Sequence, residues 1–163
     1  MAHEAGHFLM GVVFDVPNPK LGLSGFTHGP APWLSNWQSA AIGIAGPAVT
    51  LALAAIGLAQ MKSRSTRFAG ALCVAACTRL CEISPFAVIA LARWVRGAAY
   101  RRTTFDEARV FDLLGLNGDA ALVFTSIILG AILFAALRRL PGETAQSLVI
   151  GALIGWGLWK IWA

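Results

Sequence analysis

Residues 38–60 read Gln38-Ser39-Ala40-Ala41-Ile42-Gly43-Ile44-Ala45-Gly46-Pro47-Ala48-Val49-Thr50-Leu51-Ala52-Leu53-Ala54-Ala55-Ile56-Gly57-Leu58-Ala59-Gln60, without one charged side chain. A helix needs about 20 apolar residues to cross the hydrocarbon core of a bilayer, and this stretch is long enough. Outward from it the pattern repeats. Residues 68–84 are apolar apart from Arg79 and Glu82, and residues 86–95 form a shorter apolar run after Pro85. Residues 119–137 end at Arg138-Arg139, and residues 144–162 end around Lys160 and two tryptophans.

The composition agrees with that reading. Of 163 residues, 57% are apolar and 13% are charged, about half the charged share of an average soluble domain. The length suits one domain rather than two. The expected fold is therefore all-α: a polytopic membrane protein of about five helical segments, forming a single embedded domain over 1–163. The segments are a helix at 1–14 and membrane segments at 38–60, 68–95, 119–137 and 144–162. The formal net charge of +5 does not call for nucleic acid. The basic residues cluster between apolar stretches, where they meet anionic headgroups and set topology. Trp33, Trp37, Trp94, Trp156, Trp159 and Trp162 lie near the ends of apolar stretches, as an interfacial belt requires.

Residues 15–37 differ from the rest. Asp15-Val16-Pro17-Asn18-Pro19 and Gly25-Phe26-Thr27-His28-Gly29-Pro30 are rich in turn formers, so a loop with room for a short hairpin is expected. For topology, Lys62, Arg64 and Arg67 favour a cytoplasmic loop, as do Arg138 and Arg139. Arg93, Arg96, Arg101 and Arg102 favour the same side, which conflicts with a single crossing by 68–95. One resolution is that the chain turns back at Pro85, with 85–97, too short to span, re-entrant or interfacial.

The chemistry lies at the start of the chain, Met1-Ala2-His3-Glu4-Ala5-Gly6-His7. Residues four apart on a helix share a face, about 6 Å apart along the axis. His3 and His7 can therefore aim at one zinc ion, and Glu4 beside them fits a general base. The plain alternative is a helix start with two ordinary histidines. The chain has 3 His, and two of them fall in this motif, which favours the metal. A catalytic zinc has three protein ligands and an open position, so a third ligand must come from elsewhere. Cys73, Cys77 and Cys81 recur every four residues and read as a stripe of small packing residues, with no Cys-x-x-Cys pair for a metal. His28 reads as a solvated loop residue. Gly46-Pro47 reads as a kink or close-packing point, and Gly43, Gly46 and Gly57 as places where helices approach. Gly151-x-x-x-Gly155 fits either close packing or a lipid-facing helix.

Taken together, these residues resemble the site-2 protease family of intramembrane zinc metalloproteases. His3-Glu4-Ala5-Gly6-His7 opens an apolar helix, Ala45-Gly46-Pro47 resembles the family's next core helix, and Phe105-Asp106-Glu107-Ala108-Arg109 with Leu113-Leu114-Gly115 resembles its Asp-bearing segment. Thr50, Glu82 and Glu107 stand where the family has Asn, Asn and Gly. The family carries helix upstream of the motif, so a truncated start or a minimal variant is expected here. The resemblance implies zinc held by His3, His7 and Asp106, Glu4 as catalytic base, and a membrane-spanning protein segment as substrate, in a prokaryotic cytoplasmic membrane. Asp106 also fits a first-turn or N-cap acid of a short helix at 105–115. Glu82, Asp112 and Asp119 are rival ligands, although Glu82 has Arg79 three residues back as an ion-pair partner. The alternative function is a non-catalytic membrane subunit or scaffold of the same fold. A transporter is the third reading, with no paired internal repeat to support it.

Overall fold

The computed structural model describes residues 2–22, 25–61, 66–99 and 105–162, with the side chains among them except 66–68, 74–77, 155–156 and 158–162. The expectations placed on Lys62, Arg64, Arg67, Cys77, Arg101, Arg102, Gly155 and the last three tryptophans lie outside the described residues.

The described chain is mostly helical. Its elements are α1 (Ala2–Val13), β1 (Lys20–Leu21), β2 (Phe26–Thr27), α2 (Asn36–Gln60), α3 (Thr66–Val95), α4 (Asp106–Leu113), α5 (Gly118–Leu137) and α6 (Gly142–Trp162). Among the described residues, three helices are long and apolar enough to cross a membrane: Asn36–Gln60, Ala69–Val95 and Gly118–Leu137. Their outer faces present Ile44, Ile56, Val88, Phe124 and Ile127 to the surroundings. Apolar side chains exposed along such helices suit lipid better than water.

The turn expected at Pro85 does not occur, because α3 continues through it. Proline removes one amide donor, the partner of the Cys81 carbonyl, and the flanking residues keep theirs. In hydrocarbon, a chain that left the helix there would expose several unsatisfied backbone groups instead of one. α2 passes Pro47 in the same way. The short helix α4 adds a sixth segment to the expected five. Its N-cap is Phe105, with extended backbone and no side-chain cap, so Asp106 is the first residue inside the helix. α4 ends in a Schellman arrangement: Leu116 N–H donates to the Phe111 carbonyl at 2.7 Å and Gly115 N–H to that of Asp112 at 3.1 Å. Gly115 sits at φ 73° there, a conformation that costs glycine nothing.

The chain divides into two compact units, Met1–Val49 with Pro85–Thr125 and Thr50–Ser84 with Ser126–Ala163. In the first, α1 lies directly against α2, since a Cβ on Gly6 would strike the Ala45 carbonyl. Phe14 meets Trp37 edge to face at 5.3 Å, Phe86 of α3 meets Phe105 at 4.6 Å, and Val110 of α4 fills the space left by Gly43. β1 and β2 pair antiparallel in the register Lys20↔Thr27 and Leu21↔Phe26. This is the short hairpin for which the loop had room. In the second unit, α2 and α3 approach at Gly57, which faces Ala69 and the fully buried Cys73. Arg139 Nη1 donates to the Leu58 carbonyl at 3.0 Å. Among the described residues, a Cβ at Gly151 would meet open space.

Candidate metal centre

α1 presents His3 and His7 one turn apart, as their spacing dictates, with ring centroids 4.8 Å apart and planes at 78°. α4 brings Asp106 to them across more than a hundred residues of sequence. Asp106 Oδ2 lies 3.2 Å from His3 Nε2 and 3.3 Å from His7 Nε2, and the two Nε2 atoms are 3.2 Å apart. Among the described residues these three form the group able to hold a metal ion. The triangle is nearly equilateral. Donors about 2.0–2.1 Å from a tetrahedral zinc stand about 3.3 Å from one another, so one ion can satisfy all three and keep a fourth position open. Imidazole and carboxylate are both donors that a divalent metal ion accepts.

Two neighbours on α2 complete the geometry. His7 Nδ1 lies 2.7 Å from the Ile42 carbonyl. A carbonyl only accepts, so Nδ1 carries the proton and Nε2 of the neutral ring carries the lone pair a metal needs. Pro47 and Gly46 sit one turn further along α2. A Cβ on Gly46 would come within 2.8 Å of His3 Nε2 and closer still to His7 Nε2. Only glycine leaves that space beside the two imidazole nitrogens clear. Burial disfavours the charged form of His7. The hydrogen bonds to Asp106 and Ile42 and the negative charges of Asp106 and Glu4 outweigh that effect, so the His7 pKa lies above its ordinary value.

Glu4 lies beside the triad and accepts a hydrogen bond from the Phe26 backbone N–H at 2.9 Å through Oε2. The hairpin thus lies over the motif helix, with the Phe26 ring stacked near His7 at 6.4 Å and 18°.

The rival acids go elsewhere. Glu82 Oε2 accepts from Arg79 Nη1 at 2.8 Å on α3. Asp119 is fully buried and paired with Arg93, whose Nε lies 3.2 Å from Oδ2. Asp112 lies on α4 and does not join the donor group. His28 is a hydrogen-bonded loop residue, its Nδ1 2.6 Å from the Gly29 carbonyl. Three contributors were not read from sequence: the Ile42 carbonyl, the Phe26 N–H and the vacancy at Gly46. The first two are backbone groups with no residue-type signal. Gly46 was legible as a kink or packing glycine and as part of the Ala45-Gly46-Pro47 resemblance, not as a neighbour of the histidines. Compared with protein-family models, curated proteins and solved structures, the chain matches none.

Proposed function

We propose that the chain is a zinc-dependent intramembrane endopeptidase of the site-2 protease kind, cleaving membrane-spanning segments of protein substrates. The observation that carries the reading is the triangle of His3 Nε2, His7 Nε2 and Asp106 Oδ2, with sides of 3.2–3.3 Å, beside a motif glutamate. Zinc, when bound, supplies Lewis acidity toward water and toward a peptide carbonyl. Glu4 takes the proton of the attacking water and returns it to the leaving amine. The Ile42 carbonyl keeps His7 in the ligating tautomer, and Asp106 contributes negative charge to offset the cation. The partially exposed Asp106 side chain, at 34%, leaves the ligand triangle open on its side to water and substrate.

A membrane helix shields its carbonyls in its own hydrogen bonds, so the substrate segment unwinds locally before attack. The apolar outer faces of the helices suit a substrate delivered within the bilayer, on this reading that of a prokaryotic cytoplasmic membrane. The test uses the purified full chain reconstituted in lipid with a panel of single-span proteins. We expect about one zinc per chain and cleavage within the spans. Glu4→Gln should abolish cleavage and retain the zinc. Undiminished cleavage by Glu4→Gln rules out the mechanism, and a zinc-loaded wild type that cleaves nothing favours the non-catalytic scaffold.

A further inference from the structure

We infer that Phe26 is a positioning residue for the proton-transfer group: its backbone N–H holds the Glu4 carboxylate, and its ring seats the hairpin against the motif helix. The role assigned to Glu4 rests on the reading above. The hydrogen bond itself does not.

The hairpin register makes this N–H available. Gly22 N–H donates to the Gly25 carbonyl at 2.9 Å, so the Gly22–Gly25 pair is hydrogen-bonded. Antiparallel pairs alternate between bonded and non-bonded. The next pair, Leu21↔Phe26, is therefore non-bonded, and the Phe26 N–H points away from β1. An outward edge amide ordinarily meets water. Here it donates to Glu4 Oε2 at 2.9 Å, a charge-assisted bond.

The ring of the same residue fixes where that amide sits. It stacks near His7, meets Phe8 edge to face at 6.4 Å, and fills the notch at Gly11, where a Cβ would come within 2.7 Å of its Cζ. One residue thus addresses both the general base and a metal-ligating ring. A glutamate side chain has three torsions, and ordering it costs rotamer entropy. Tethering one carboxylate oxygen meets that cost before substrate arrives and leaves the other oxygen for the proton.

Two measurements on the full chain test this. The first is hydrogen exchange at the Phe26 amide in the zinc-free protein. Protection should fall about 10- to 100-fold in Glu4→Ala, the worth of a hydrogen bond to a charged group. Unchanged exchange overturns the inference, whatever the protein cleaves. The second compares Phe26→Pro, which removes the N–H at a position the ladder does not use, with Phe26→Leu, which keeps it. Phe26→Pro should lower kcat at least tenfold with KM and zinc content unchanged, and Phe26→Leu should restore most of the activity. Equal kcat in the two variants overturns the inference. A wild type that loses Phe26 protection on Glu4→Ala and yet cleaves nothing retires the protease reading and leaves the tether standing.

Discussion

Asp106 and Glu82 are acids on short-range helical ground, and their surroundings send them to different tasks. Glu82 has Arg79 one turn away on its own helix, 2.8 Å from its carboxylate. Asp106, at the start of α4, has two imidazole nitrogens at 3.2 and 3.3 Å. Asp119 follows the Glu82 pattern, buried beside Arg93. A guanidinium is charged at every relevant pH and cannot give way to a metal. An imidazole can release its proton and bind one. A carboxylate paired with arginine is a brace, and one paired with histidines is available for metal chemistry.

The largest test of that contrast is steric. Gly46→Ala puts a methyl group into the space between His3 and His7, so metal analysis should find almost no zinc. Gly130→Ala, where a Cβ meets open space, should bind it normally. Asp106→Ala should lower zinc affinity by more than the 10–100-fold that follows loss of an outer-shell partner, whereas Glu82→Ala should leave it unchanged. Zinc lost from Glu82→Ala and kept by Asp106→Ala would reverse the comparison. Asp119→Ala strands the Arg93 charge and should cost about 3 kcal/mol of stability, read from denaturant unfolding in micelles, with zinc stoichiometry near that of wild type.

A smaller effect is pH dependence. His7 must be neutral to ligate, and its raised pKa keeps the metal-free ring protonated to higher pH than an ordinary histidine. Zinc affinity should therefore rise with pH through the titration of that ring and continue rising above the usual histidine range, about pH 6.5. A flat zinc titration from about pH 6 to 8 would remove His7 from the ligand set. The smallest effect belongs to His28→Ala, whose exposed ring should matter neither for zinc nor for cleavage.

Much of the fold was legible because membrane helices announce themselves by length and apolarity, which are local properties. The expected segments 38–60, 68–95 and 119–137 differ from α2, α3 and α5 by no more than two residues at either end. Pro85 misled because a helix that runs on through a proline loses one amide donor, whereas a chain that leaves the helix there frees several backbone groups. In the site, His3, Glu4 and His7 were readable from one helical turn. Asp106 came only through resemblance, since no local rule links residues separated by 103 positions.

The sequence alone determined that this chain is helical, apolar enough for a membrane, and equipped with two histidines on one helical face. Period and length decide those matters within a few turns of chain. Tertiary structure decided which acid meets the histidines, which carbonyl sets the His7 tautomer, why position 46 has no side chain, and what holds Glu4. Each of these is a contact between distant segments, and backbone groups such as the Ile42 carbonyl and the Phe26 N–H acquire a role only where folding puts them.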